Sequence, residues 1–280
     1  MNQDVPTMQQ LLEAGVHFGH KVSRGNPGMK PYIFGAREGV QIIDLAHSEE
    51  KLKEATQAAY ELGKSGKVLL LVGTKKQARP IVEELAQKTD IPYLTARWVG
   101  GLLTNFEEMY KNVHKLMDLR EKQQKGELSH YTKKERLLIS RKIEKFEEEL
   151  GGVAHLTKVP DAIFVIDAVS DNTAVKEANK LNIPLLGLCD SNANPNWFAY
   201  PVPANDDGIK SIQLVSETVL GAYAKGRSQA ATDKANEEAK QKEQEEKAAS
   251  EVDDVMSAEA AAIEDAVEKE IVAESGRKGD

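Results

Sequence analysis

Apolar residues in this chain fall into two blocks of short continuous runs separated by amphipathic stretches. In the first block, residues 48–62 place Leu52, Ala55, Ala59 and Leu62 on one helical face, and 67–72 forms a continuous apolar strand. A second helix over 75–88 turns Ile81, Val82 and Leu85 inward, and a short strand follows at Tyr93 and Leu94. The second block repeats the alternation: strand at 162–166, helix at 171–181, strand at 184–188, a short strand at Pro201 and Val202, and a closing helix at 207–223. Strands that are apolar throughout are buried on both faces. The pattern therefore predicts an α/β fold with a parallel sheet flanked by helices.

Between the blocks the period changes. Phe106, Tyr110, Val113 and Met117 recur at spacings of 4, 3 and 4, and Ile139, Ile143, Phe146 and Leu150 repeat them. Such spacing makes a coiled-coil seam on each half. Gly126 stops the first helix, and Thr132 with Glu135 three residues on opens the second as a capping box. Residues 104–150 are thus expected to form an antiparallel coiled-coil hairpin, each arm roughly 28 Å long at ~1.5 Å per residue, protruding from a sheet domain made of 46–103 and 151–227. The first 45 residues offer a short helix at 8–14, an apolar stretch from Val40 to Leu45, and between them Gly15, Gly19, Gly25, Gly28, Gly35 and Gly39. Glycines this frequent predict an irregular segment held close to a partner.

Composition and charge add limits. The single cysteine, Cys189, cannot make an internal disulfide and lies at the end of an apolar run, which fits a reducing compartment. The start lacks the pattern of a signal peptide, and no segment reaches the ~20 apolar residues that span a bilayer, so a cytoplasmic location is expected. The formal net charge of -8 is unevenly spread: residues 1–228 carry +1 and residues 229–280 carry -9. From 228 onward the chain has no aromatic residue and few large aliphatics, and an acidic, mostly disordered tail over 228–280 is expected.

Catalytic chemistry finds few candidates. Asp167 and Asp190 each close an expected strand, at the edge where open α/β sheets bind ligands. Two carboxylates there could hold Mg²⁺ for nucleotide binding or phosphoryl transfer, but capping preferences favour the reading that they cap loops or the next helix, as Ser170, Asp171 and Asn172 also suggest. The strand-to-helix junction at Val72-Gly73-Thr74 lacks the spacing of a phosphate loop, but Lys75, Lys76 and Arg79 surround an expected helix N-terminus that suits a phosphate or an RNA backbone. His17 and His20 have H-x-x-H spacing, with His47 as a possible third ligand, yet nothing completes a zinc set and no metal is expected.

Charge on the hairpin is more informative. Residues 111–145 carry an excess of +6, from Lys111, Lys115, Arg120, Lys122, Lys125, Lys133, Lys134, Arg136, Arg141, Lys142 and Lys145 against five acidic residues. Solubility alone accounts for some lysine on exposed helices, but this concentration favours contact with a polyanion. The N-terminal segment adds Lys21, Arg24, Lys30 and Arg37 among its glycines, with Tyr32 and Phe34 nearby for stacking, a combination that suits structured RNA.

Particular strings carry a resemblance. His17-Phe18-Gly19-His20, Asn26-Pro27-Gly28-Met29-Lys30-Pro31-Tyr32-Ile33-Phe34-Gly35 and Ile42-Ile43-Asp44-Leu45, then the run from Arg97 to Phe106, and lastly the runs from Pro160 to Asp167 and from Gly187 to Pro195, resemble the bacterial small-subunit ribosomal protein family conventionally numbered two. The likeness extends from about Met8 to Ala224. It implies a flavodoxin-like sheet, a protruding hairpin, no catalytic activity and no cofactor. It also implies binding to small-subunit rRNA, contact with other small-subunit proteins, and support for docking of ribosomal protein S-one and so for translation initiation. Carried over by motif, the implied RNA-facing positions are His20, Lys21, Arg24, Asn26, Lys30, Arg37, Arg97, Trp98 and Asn105, with Trp98 equally a core anchor. The hairpin positions Lys111, Lys115, Arg120, Lys122, Lys133, Lys134, Arg136 and Arg141 rest on charge alone. Neither a membrane nor a small-molecule substrate is expected. The acidic extension lies beyond the resemblance.

Overall fold

The structure is a computed structural model that describes residues 5–234. Most of the expected tail, residues 235–280, lies outside the described residues. The chain begins with α1 (Met8–Glu13), opened by a capping box in which Thr7 and Gln10 bond reciprocally. Three strands follow, β1 (Phe18–Lys21), β2 (Ile33–Arg37) and β3 (Val40–Ile43), paired antiparallel in the order β1-β3-β2. The segment expected to be irregular is therefore a small sheet. Its strands are four or five residues long and mostly half-exposed, so they show no continuous apolar run.

Next come α2 (Leu45–Lys64), β4 (Leu69–Val72), α3 (Arg79–Thr89) and β5 (Tyr93–Leu94), then α4 (Phe106–Gln124) and α5 (Lys133–Leu150). The chain returns through β6 (Ala162–Val165), α6 (Asn172–Lys180), β7 (Leu185–Cys189) and β8 (Tyr200–Pro203) to a closing helix, α7, from residue 209. Strands β4 to β8 form one parallel sheet in the order β5-β4-β6-β7-β8. Numbered within the sheet this is 2-1-3-4-5, the flavodoxin-like order, whose direction of winding reverses beside the first strand.

Every residue of β4, β6 and β7 is buried, as their continuous apolar character requires. Alternate side chains serve opposite faces. Leu69, Leu71, Phe164, Ile166, Leu186 and Leu188 pack with α2, α3 and α7, while Leu70, Val72, Ile163, Val165, Leu185 and Cys189 pack with α6, Met29 and the base of α4 and α5. Helices α2 and α7 cross backbone to backbone: a Cβ at Gly63 would strike the Tyr223 carbonyl, and one at Gly226 would strike that of Tyr60.

Two local signals appear where the sequence placed them. Gly126 adopts a left-handed φ of 72° after α4, and Thr132 and Glu135 make the capping box that opens α5. Helix α3, in contrast, starts four residues later than expected, with Pro80 in its first turn, a position that suits proline because no N–H is needed there. Residues 75–78 form a turn instead, so the helix N-terminus expected around Lys75 and Lys76 does not exist at that point.

Candidate nucleic-acid interface

The carboxyl ends of the parallel strands gather a charged cluster. Asp167 follows β6, Asp190 follows β7, Asp206 follows β8, and all three are buried. Lys75 Nζ reaches 2.7 Å from Asp206, 2.7 Å from Asp207 and 3.2 Å from Asp167. Burial would lower the Lys75 pKa, but the surrounding carboxylates outweigh it and hold the ammonium protonated well above the usual lysine range. Asp206 is pushed up to about 7 by burial and by the charges of Asp167 and Asp190, with Lys75 opposing. Asp171 rises to about 6 through burial, although Thr74 donates to it from Oγ1 at 2.8 Å. His20 lies with Nδ1 3.2 Å from Asp190, without hydrogen-bond alignment, and Nε2 3.5 Å from Asp207. The contact with Asp190 leads the effects that raise its pKa.

This cluster is a clasp between the two sheets. The His20 amide donates to Ser191 Oγ at 2.7 Å, and the Asn26 amide donates to the Ser191 carbonyl at 2.8 Å. At Gly19 a Cβ would sit 2.7 Å from Ser191 Oγ and 3.0 Å from the Gln41 carbonyl. The partner that this N-terminal glycine approaches so closely is the chain's own second half. His17 stacks on Phe18 and His47 contacts Asp44, so neither histidine joins His20. Instead His20, Asp190 and Asp206 bring ligand atoms within 4.8 Å of one another, a set of a kind that could take one divalent cation.

The phosphoryl-transfer reading of Asp167 and Asp190 fails on this geometry. Asp167 accepts from the amides of Val169 and Ser170 at 2.8 and 2.9 Å, from Ser170 Oγ at 2.7 Å, and pairs with Lys75. These donors and Lys75 hold its carboxyl low although burial alone would raise it. Asp190 accepts from the amides of Ser191 and Asp206. Both carboxylates cap turns.

Four positions expected to face RNA point inward. His20 and Lys75 belong to the clasp, and the Asn26 side chain accepts from the Gly28 amide at 2.9 Å. Trp98 is only 7% exposed, and its Nε1 donates to Glu177 at 3.2 Å. The rest are exposed: Lys21, Arg24, Lys30 and Arg37 on or beside the small sheet; Lys76, Arg79, Arg97 and Asn105 on turns and helix starts; and Lys111, Lys115, Arg120, Lys122, Lys133, Lys134, Arg136 and Arg141 on α4 and α5. Lys111 is paired with Glu108 at 2.7 Å and Arg120 with Glu147 at 2.8 Å. Lys115, Lys122, Lys133, Lys134, Arg136 and Arg141 make no ion pair among the described residues. Glu107, Glu108, Glu147, Glu148 and Glu149 crowd the opposite ends of these helices, so the excess of +6 over 111–145 falls to +1 over 104–150. The free positive charge lies away from the sheet.

Two residues that sequence reasoning passed over organise the site. Asp206 anchors Lys75, and Glu177 accepts from three residues of the run before α4: Gly101 N at 2.7 Å, Leu103 N at 3.1 Å, Thr104 N at 3.2 Å and Thr104 Oγ1 at 3.3 Å. A lone glutamate on an amphipathic helix carries no local signal of that role.

Comparison with known proteins completes the picture. A family described as Ribosomal protein S2 matches residues 11–226. A protein of a Nitratiruptor species named small ribosomal subunit protein uS2 is 45% identical over 221 residues, 79% of this chain and 83% of its own length. Proteins of the same name from Helicobacter hepaticus and Helicobacter pylori are 43% and 44% identical, covering 84% and 79% of this chain and 89% and 84% of theirs. A match that takes in the N-terminal sheet, the clasp, α4, α5 and the parallel sheet together shows that this chain belongs to the ribosomal protein S2 family, structural proteins of the small ribosomal subunit and not enzymes.

Proposed function

We propose that the chain binds small-subunit rRNA by electrostatic docking, with the clasped sheets as a rigid body and two basic surfaces as contacts. One surface is the small N-terminal sheet with Lys21, Arg24, Lys30 and Arg37. The other is the outer part of α4 and α5, acting as a projecting coiled-coil arm. The observation that carries this reading is the division of charge along α4 and α5: lysines and arginines without ion pairs run from the middle of both helices to the turn, whereas five of the nine glutamates over 104–150, Glu107, Glu108, Glu147, Glu148 and Glu149, cluster at the sheet end. Uniform solubilising charge has no reason to divide in that way. Phosphate neutralisation does, because each contact releases counterions without reading a base.

In the cytoplasmic ribosome the bound chain would touch other small-subunit proteins and support docking of ribosomal protein S-one. Residues 229–280, at -9, would stay out of the RNA contact because like charges repel. The test is a variant carrying Lys133→Glu, Lys134→Glu and Arg136→Glu, titrated against small-subunit rRNA at fixed salt. We expect a loss of affinity of tenfold or more, since three phosphate contacts become repulsions. Unchanged affinity removes the arm from the interface. Small subunits reconstituted with and without the chain then test the second role, which predicts that S-one is retained only when the chain is present.

A further inference from the structure

We propose that Glu177 is a positioning residue that sets the direction in which the α4–α5 arm leaves the sheet. This rests on the reading of the arm as an RNA contact and adds the element that aims it. Glu177 sits on α6, whose Ala174, Val175 and Ala178 are fully buried against the sheet, so the carboxylate stands on a rigid base. It collects five donors from the stretch between β5 and α4: the amides of Gly101, Leu103 and Thr104, the Thr104 hydroxyl, and Trp98 Nε1. Within the same stretch Leu102 donates to the Val99 carbonyl and Asn105 to the Gly101 carbonyl. Of the five amides from Gly101 to Asn105, the three that remain all turn to the one carboxylate.

Asn105 is the residue on which α4 begins, and its side chain makes no capping bond. The turn that launches the helix is therefore fixed one residue earlier, at Thr104, by a group belonging to the sheet domain. Trp98, Leu102 and Leu103 bury their side chains in the core, which holds the stretch in place. Apolar burial is non-directional, whereas four N–H groups and one hydroxyl converging on two oxygens fix an orientation. Burial would raise the Glu177 pKa, but the donors from Gly101, Trp98, Thr104 and Leu103 prevail and keep it ionised below the usual glutamate range. The carboxylate is thus in its acceptor-only form, which suits five donors. A glutamine of the same shape offers one accepting oxygen and turns an NH₂ toward Leu103 and Thr104.

The test combines a distance measurement with a double-mutant cycle on the full chain. Spin labels at Gln124→Cys and Gln213→Cys report on the arm and the sheet domain; Cys189 is buried and does not interfere. In Glu177→Gln the distance distribution should broaden, and affinity for small-subunit rRNA should fall about tenfold, the scale of one hydrogen bond to a charged group. Glu177→Asp, which keeps the charge and withdraws it by one methylene, should give an intermediate breadth. In the background of Lys133→Glu, Lys134→Glu and Arg136→Glu the affinity effect of Glu177→Gln should vanish, because an arm that no longer touches RNA gains nothing from being aimed. A general loss of folding would instead add to the triple substitution. An unchanged distance distribution, or fully additive losses, overturns the proposal. Unchanged affinity in the triple variant alone overturns the arm's RNA contact, and the distance measurement still decides whether Glu177 positions the arm.

Discussion

Replacing Lys75 by methionine removes the one lysine of the clasp while keeping the length of its stem. The loss leaves Asp167 and Asp206, both buried, without the ammonium that lies 3.2 and 2.7 Å from them, and frees the more exposed Asp207. Breaking a buried pair by deleting one partner costs about 3–5 kcal/mol, because a charge stays behind in a poor dielectric. The lysine is 17% exposed, so the lower end of that range, about 3 kcal/mol, is the better expectation. The loss should also depend on pH. Asp206 has a folded pKa raised to about 7 from an ordinary 3.8, so the folded state holds its proton more tightly than the unfolded state does. Its contribution to stability is then fully present below the unfolded pKa and is lost as pH rises through the folded one. Without Lys75 that folded pKa climbs further. Lys75→Met should therefore cost less near pH 4.5, where Asp206 is protonated and His20 is cationic, than at pH 8, where the full amount is lost. Urea unfolding in the presence of a chelator measures this, with a midpoint about 1 M lower at pH 8 for a slope of ~3 kcal/mol per M. An equal loss at both pH values, or less than about 1 kcal/mol at pH 8, would refute the argument that Lys75 neutralises the clasp.

Three further outcomes follow from particular contacts. Gly63→Ala should lower the melting temperature by roughly 2–8 °C, from about 1–2 kcal/mol of overpacking where α2 meets the Tyr223 carbonyl; an unchanged value in calorimetry would mean that the crossing is looser than described. Trp98→Phe keeps the buried ring and removes the Nε1 donor to Glu177, so about 1 kcal/mol of stability should go with rRNA affinity nearly unchanged, and a large affinity loss at full stability would return Trp98 to the interface. Deleting residues 230–280 should leave association with the small subunit intact; loss of the chain from purified subunits would show that the acidic extension takes part.

The parallel sheet was legible because burial on both faces leaves a mark in sequence: Leu69 to Val72, Ala162 to Val165 and Leu185 to Cys189 are apolar throughout. The turn between α4 and α5 was legible because its chemistry is local, in Gly126 and in Thr132 with Glu135. The N-terminal strands were not, since β1 and β2 carry glycine and exposed residues, and their pairing with β3 has to be found across the segment. For the site, the sign and density of charge could be read directly, but which charges are free could not. Lys75 looks like any helix-start lysine until Asp206, 131 residues away, is placed against it. Trp98 looks available for stacking until Glu177, 79 residues on, takes its N–H. Long-range partners decide availability, and sequence spacing carries no trace of them.

The central claim is that RNA meets the chain on the small basic sheet and on the outer part of α4 and α5, and not at the carboxylate edge of the parallel sheet. Ultraviolet crosslinking within assembled small subunits, with the crosslinked peptides identified by mass spectrometry, tests it most directly. Our account predicts rRNA adducts on peptides that contain Lys21 to Arg37 and Lys115 to Arg141, with none on those around Asp167, Asp190 and Asp206. Adducts confined to the carboxylate edge, or an assembled subunit in which neither basic surface crosslinks, would contradict it.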